Sequence, residues 1–251
     1  MINRAFDVFG NIALVKFDRK AKANEKKKFA AKILKENKSV KAVLEKTGKF
    51  KGRLRKQETH WIAGEKTKEV LYKENDCIFR FNIDKVYFST RLSNERKEIA
   101  KMISKNDEVL VMFAGAGAFS IIVARKSKAK KVYSNEINKE ANKYGRLNAE
   151  LNKAKDKVVF LDGDIKRVSV KLQKEKKKFD VIVMPRPQLK DSFLKQAFIL
   201  SRKGTLVFYY DFCKEDEIAG VVAKVKFEAL KNGKKIKILK VKKAGEIAPY
   251  K

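Results

Sequence analysis

Two glycines in a GxG spacing, followed at intervals by acidic residues, are the first positions in this chain whose types could do chemistry. Met112-Phe-Ala-Gly-Ala-Gly-Ala-Phe-Ser120 lies between an apolar strand and a helical stretch, and Gly115 and Gly117 allow the backbone to turn tightly around a ligand. The next strand ends Val132-Tyr-Ser-Asn-Glu136. A carboxylate there, about twenty residues past the glycines, can accept hydrogen bonds from both hydroxyls of a ribose. The third strand ends Leu161-Asp-Gly-Asp164, where Asp164 is placed for the amino group of an adenine. Each acid taken singly reads as a turn or helix-cap residue. Gly, Glu and Asp at three consecutive strand ends together suit an adenosine-containing cofactor. The third glycine of the dinucleotide fingerprint is missing, and the absence of a GxxxxGK[ST] loop argues against ATP.

A second set of residues could act on a substrate. Arg91 and Glu95 stand four apart at a helix start, on neighbouring turns, as a surface ion pair or as a cation and base addressing one group. Met184-Pro-Arg-Pro187 holds two of the chain's three prolines just beyond a strand end. Proline has no amide donor and a fixed φ, so such a loop makes a stiff, weakly polar wall. Gly48-Lys-Phe-Lys-Gly-Arg-Leu-Arg-Lys56 alternates apolar and basic residues, as a solvated strand face or a surface for RNA phosphates. His60 is the only histidine, which argues against a histidine-based triad or a multi-histidine metal site. Cys77 and Cys213 form no metal-type pair and suit a reducing compartment. No metal is expected.

The elements that must position these residues follow from pattern. In 251 residues, 44% are hydrophobic, so a sizeable core can form. The 62 basic and 30 acidic residues leave a net charge of +32, which favours a polyanionic partner and nucleic acid first. No run of ~18 apolar residues suggests a membrane span, and the start has no secretory pattern. A soluble, cytoplasmic protein is expected. Residues 1 to 90 read as a small α+β domain: a strand over 9–17, a helix over 21–36 with Phe29, Ala30, Ile33 and Leu34 as its stripe, then strands over 40–44, 49–56, 69–72 and 77–83. Residues 91 to 251 alternate helices and buried strands, with strands over 108–113, 131–135, 157–161, 179–184 and 205–210. Helices are expected over 94–104, 118–126, 139–152, 166–174, 188–201 and 215–230, and a last strand over 235–241. That alternation is α/β, a mostly parallel sheet covered on both faces.

The order of these features resembles Rossmann-like class I methyltransferases that use S-adenosylmethionine, with Rossmann oxidoreductases as the competing reading. Val86-Tyr-Phe-Ser-Thr-Arg-Leu-Ser-Asn-Glu-Arg96 makes the resemblance specific. With Met112-Phe-Ala-Gly-Ala-Gly117, His60-Trp-Ile-Ala-Gly-Glu65 and Phe208-Tyr-Tyr-Asp-Phe212, it closely resembles the archaeal tRNA guanosine-37 N1-methyltransferase family over nearly the whole chain. The resemblance implies an RNA-binding domain over 1–90 and a methyltransferase domain over 91–251, and tRNA, through its anticodon stem-loop, as partner; the sequence leaves the oligomeric state open, with a monomer favoured. It implies Phe88, Phe113, Gly115, Gly117, Glu136, Ile137 and Asp164 around the cofactor. Arg91 and Glu95 become the cation and base for guanine N1, with Pro185 and Pro187 against the target base. Arg53, Arg55, Lys56, Arg96 and Arg186 are implied to meet tRNA phosphates.

Two positions depart from the family pattern. Val111 stands where an aspartate is common, and Pro185 where an asparagine is usual. The second departure resembles the bifunctional branch, which also methylates C7 of 4-demethylwyosine. A non-catalytic RNA-binding protein with a degenerate methyltransferase fold, or a ribosomal RNA methyltransferase, are the alternatives.

Overall fold

The computed structural model describes residues 6–18, 20–48, 52–185 and 191–244. Its N-terminal sheet is built from β1 (Phe6–Phe9), β2 (Ile12–Val15), β3 (Ala42–Lys46) and β4 (Thr59–Gly64), in that order across the sheet. Helix α1 (Ala23–Glu36) carries the chain from β2 to the parallel β3 and buries Ala30 and Ile33 against the sheet, with Phe29 and Leu34 half-buried beside them. The single strand expected over 9–17 is a hairpin. Gly10 turns it at φ +57°, and a Cβ there would sit 1.9 Å from the Leu71 carbonyl oxygen, so only glycine fits. The strand expected over 49–56 is a turn where it is described, with Arg55 left-handed at φ 51°; residues 49–51 lie outside the described residues. Segment 59–64, not expected as a strand, pairs with β3 as β4.

A two-stranded hairpin, β5 (Glu69–Glu74) and β6 (Cys77–Asn82), joins the two units. On one side the Asn11 side chain donates to Glu69 O (3.1 Å) and accepts from Leu71 N (2.7 Å). On the other, two asparagines one helical turn apart act as a substitute strand. Asn148 accepts from Arg80 N (2.7 Å) and donates to Arg80 O (3.0 Å), while Asn152 accepts from Ile78 N (2.8 Å) and donates to Ile78 O (2.6 Å). Spacing of four on a helix matches spacing of two on a strand, and the edge of β6 is satisfied without another strand.

The larger sheet is fully parallel, in the order β11-β10-β7-β8-β9, from β7 (Glu108–Met112), β8 (Lys131–Glu136), β9 (Val158–Asp162), β10 (Phe179–Met184) and β11 (Ser201–Tyr209). Around it run α2 (Ser93–Met102), α3 (Ala118–Lys126), α4 (Lys139–Leu151), α5 (Ile165–Lys174), α6 (Leu194–Leu200) and α7 (Ile218–Lys231). Val109, Leu110, Val111 and Met112 are fully buried, as a central strand covered on both faces requires. The strand order reverses between β7 and β10, and the crevice beyond their carboxyl ends is where such sheets bind ligands.

Two expectations are corrected here. The helix expected over 188–201 begins, among the described residues, at Leu194. The last strand expected over 235–241 does not form: residues 234–244 carry neither helix nor strand. Its lysine–apolar alternation suits an edge strand, but a strand is completed by a partner's backbone, and among the described residues β11 pairs only with β10.

Candidate functional site

The glycine loop is held open by unusual backbone. Phe113, Gly115 and Gly117 are all left-handed, at φ 60°, 58° and 86°. Gly117 starts α3, and a Cβ on Gly115 would lie 3.3 Å from the Tyr87 carbonyl oxygen. Gly115 N donates to Glu136 Oε2 (2.9 Å), and Asn138 N donates to Oε1 (2.7 Å), so the acid at the end of β8 braces the loop leaving β7. Burial pushes the Glu136 carboxyl above its ordinary range, against the pull of the backbone donors of Asn138, Gly115 and Ile137.

Asparagines that sequence reasoning missed lace the strand tips together. Asn135 Nδ2 donates to Leu161 O (2.7 Å) and Gly163 O (3.0 Å), tying β8 to the turn after β9. Asn138 Nδ2 donates to Lys85 O (2.8 Å) and Asn142 Nδ2 to Glu136 O (2.9 Å). Their signal was a run of amides where a strand passes into a helix, Asn135-Glu-Ile-Asn138 and Asn142, which reads as a cap on composition alone.

Phe113, Gly115, Glu136, Ile137 and Pro185 line one continuous open cleft of about 2220 Å³, together with Tyr87, Arg55, Arg91 and Glu95. That exceeds the ~300–1,000 Å³ of an ordinary small-molecule pocket and has room for a nucleotide beside a cofactor. The lining fits S-adenosylmethionine at its nucleoside end: a glycine turn, the Glu136 carboxylate at the end of the next strand, and the apolar side chains of Phe113 and Ile137. Val111 lies wholly buried in the sheet and offers nothing to the methionine end.

Three sequence-derived placements need qualification. Asp164 does not line the cleft. It caps α5 by accepting from Lys166 N (2.9 Å) and takes the Arg53 guanidinium at 2.8 Å. Burial alone would raise its carboxyl, but the Lys166 amide and Arg53 hold it below the usual carboxylate value. Phe88 reaches the cleft but is only 8% exposed, stacked on Phe81 at 4.7 Å and flanked by Tyr72 and Phe79. Arg96, expected on tRNA phosphates, is 2% exposed. Its guanidinium meets Glu74 Oε1 (2.6 Å) and Oε2 (2.7 Å), donates to Ser89 O (2.9 Å) and lies 5.4 Å from both the Phe88 and Phe119 ring centroids. Burial and the Glu74 ion pair hold this guanidinium in the interior, away from a phosphate. The sequence carried part of the signal, since Arg96 shares a helix face with Ile99, Ala100 and Ile103; its partners Glu74, Phe88 and Phe119 come from other segments.

The remaining substrate-side residues converge. Arg91 sits exposed on a short 3-10 turn, Thr90–Leu92, that leads into α2. Glu95, in the first turn of α2, is 9% exposed; its Oε1 meets the Lys242 ammonium at 2.6 Å and its Oε2 accepts from the Tyr210 hydroxyl at 3.2 Å. Arg55 lays its guanidinium over the Tyr87 ring, 4.2 Å from the centroid. Lys46, which sequence reasoning passed over, joins this wall: burial chiefly, with Lys16, Arg55 and Arg91 nearby, pushes its ammonium below the ordinary value, partly offset by Asp7. Lys56 is exposed beside them. Arg186 and Pro187 lie outside the described residues. Among the described residues, no group of three or more His, Cys, Asp or Glu could hold a metal, and no helix is long and apolar enough to cross a membrane.

The TRM5/TYW2 methyltransferase domain matches residues 70–239, and the TYW2 N-terminal domain matches residues 1–67. The chain belongs to the TRM5/TYW2 methyltransferase family. It is 35% identical to the tRNA (guanine(37)-N(1))-methyltransferase Trm5b of Pyrococcus abyssi, over 94% of this chain and 68% of that protein. The crystal structure of that Trm5b superposes with a TM-score of 0.84 at 34% identity, covering 98% of this chain and 71% of the other. The tRNA (guanine(37)-N(1))/4-demethylwyosine(37)-methyltransferase Taw22 of Nanoarchaeum equitans is 30% identical over 88% of both chains. The complex structure of aTrm5 and tRNALeu superposes with a TM-score of 0.76 at 29% identity, over 88% of this chain and 63% of that one.

Proposed function

We propose that this chain is a cytoplasmic, monomeric enzyme that transfers a methyl group from S-adenosylmethionine to N1 of guanosine 37 in tRNA. The observation that carries the reading is the placement of Glu95, a nearly buried carboxylate in the same cleft as the glycine loop, Arg55 and Arg91. Guanine N1 keeps its proton at neutral pH and is a poor nucleophile until that proton leaves. Glu95 takes the proton, and the negative charge that grows on O6 is met by a guanidinium from Arg55 or Arg91. When bound, S-adenosylmethionine supplies a methyl group already activated on a sulfonium. The chain's own task is then to hold the purine in line and exclude competing geometries. Phe113, Gly115, Glu136 and Ile137 hold the nucleoside end of the cofactor, and Gly117 shapes the turn behind them.

Residues 1–90, with Arg53, Arg55 and Lys56, meet the anticodon arm, and the target base leaves its stack to enter the cleft. A second substrate, C7 of 4-demethylwyosine, is supported by Pro185, which lines the cleft where a flat tricycle needs area more than an amide. The likeness to Taw22 over 88% of both chains supports the same reading. Residues 91–251 then form the methyltransferase domain.

Mass spectrometry of the nucleoside at position 37 tests both activities, after incubation with tRNA bearing guanosine or 4-demethylwyosine there. One added methyl group on each is the expected result. Equal incorporation into a transcript lacking guanosine at 37 would remove the first assignment, and an unmodified tricycle the second.

A further inference from the structure

The two oxygens of Glu95 have unlike partners. Lys242, whose side chain is 39% exposed, meets Oε1 from the irregular C-terminal segment, where an incoming RNA can displace it. Oε2 accepts from Tyr210, which cannot withdraw so easily. The Tyr210 ring packs edge-on against Phe119 with centroids 6.0 Å apart, and its backbone N donates to the Met184 carbonyl at 3.3 Å. Tyr210 therefore fastens three parts of the site: the start of α2 that carries Glu95, the helix that follows the glycine loop, and the end of β10 that leads into Pro185. Arg96, the next residue on α2, is engaged with Glu74 and leaves the Glu95 carboxylate to Tyr210 and Lys242.

We propose that Tyr210 is a positioning residue for proton removal from the target base: its hydroxyl anchors Oε2 of Glu95 and leaves Oε1 as the oxygen that receives the proton. The step balances within the pair. The N1–H bond of guanine breaks, an O–H bond forms on Oε1, the electron pair stays on the base, and Tyr210 keeps its own proton throughout. Burial first, and then the adjacent Glu95 carboxylate, push the Tyr210 phenol far above its ordinary value, so it remains a donor across the neutral range. A hydrogen bond from a neutral hydroxyl holds a carboxylate without neutralising it, whereas the Lys242 ion pair must open before Oε1 can accept.

This rests on the reading of Glu95 as the base, and a double-mutant cycle separates the two. Single-turnover methyl transfer to a guanosine-37 transcript is measured for the wild type, Tyr210→Phe, Glu95→Gln and the double variant, with transcript and S-adenosylmethionine affinities measured for each. Tyr210→Phe keeps the ring on Phe119, so the fold is retained. The expected result is a rate about tenfold slower for Tyr210→Phe with both affinities within about twofold, and a double variant no slower than Glu95→Gln alone. A Tyr210→Phe rate equal to wild type, or a double variant slowed by both factors multiplied, overturns the positioning role while the base assignment stands. Full activity in Glu95→Gln overturns the base assignment, and the proposal with it.

Discussion

The two walls of the cleft are made of different materials. On the strand-tip wall, ligand-facing geometry comes from backbone in left-handed conformations, cross-braced by Glu136, Asn135, Asn138 and Asn142 through neutral or backbone hydrogen bonds. Elsewhere in the lining, Lys46, Arg53, Arg55, Arg91 and Glu95 come from a strand end, turns and a helix start, and act through charge. A small, conserved-shape nucleoside can be met by rigid backbone prepared in advance. A long polyanion is better met by cations that screen phosphate and adjust to it.

Salt breaks this comparison most sharply. Raising salt from about 50 to about 200 mM is expected to weaken tRNA binding by roughly 10³-fold, for six or more phosphate contacts, while S-adenosylmethionine affinity stays within about twofold. Parallel titrations of the two ligands check this; equal sensitivity would mean that both walls bind through charge. Next in size, Glu95→Gln should slow methyl transfer by about 10²-fold or more without loss of cofactor affinity. Single-turnover assay and calorimetry on the same preparation read both quantities.

Asn148→Ala attacks the support of the neutral wall. Asn148 is fully buried and also donates to Ala116 O (3.0 Å) in the glycine loop, so its loss leaves backbone groups of β6 and the loop unsatisfied. About 2–3 kcal/mol of destabilisation is expected by chemical denaturation. The smallest effect is at Tyr144, whose hydroxyl donates to Glu69 (2.7 Å) between α4 and the joining hairpin. Burial, that hydrogen bond and the Glu69 charge push its phenol up to about 12. With the folded value above the unfolded one, near 10, the contribution is complete below pH ~10 and is lost as pH rises toward ~12. Tyr144→Phe should flatten that alkaline fall in the melting temperature, and an unchanged pH profile would remove the assigned link.

Much of the larger unit was legible because its signals are local. A short run such as Val109-Leu-Val-Met112, with no polar face and a GxG turn directly after it, reads as a buried strand. The smaller unit was less legible. Phe9–Phe17 contains Gly10-Asn11, a local turn signal, while the close approach of the Leu71 carbonyl that requires glycine at 10 comes from a distant segment. Lys235–Val241 shows the opposite failure, a strand pattern for which β11 supplies no ladder. Arg96 shows it for a side chain: its charge reads as a surface group, although it shares a helix face with Ile99, Ala100 and Ile103, and the Glu74, Phe88 and Phe119 that enclose it arrive from elsewhere.

Composition and local pattern by themselves determined the charge, the α/β alternation, the glycine turn and the acid that follows it, since each depends on residues within one or two elements. Tertiary structure alone decided which arginine is spent on the core and which faces the cleft. It also decided that Asp164 is tied to Arg53, and that Tyr210 reaches Glu95 across 115 positions of chain. Those are pairings between distant segments, and their free energy depends on a shared dielectric surrounding and a fixed separation, neither of which exists until the sheet has closed.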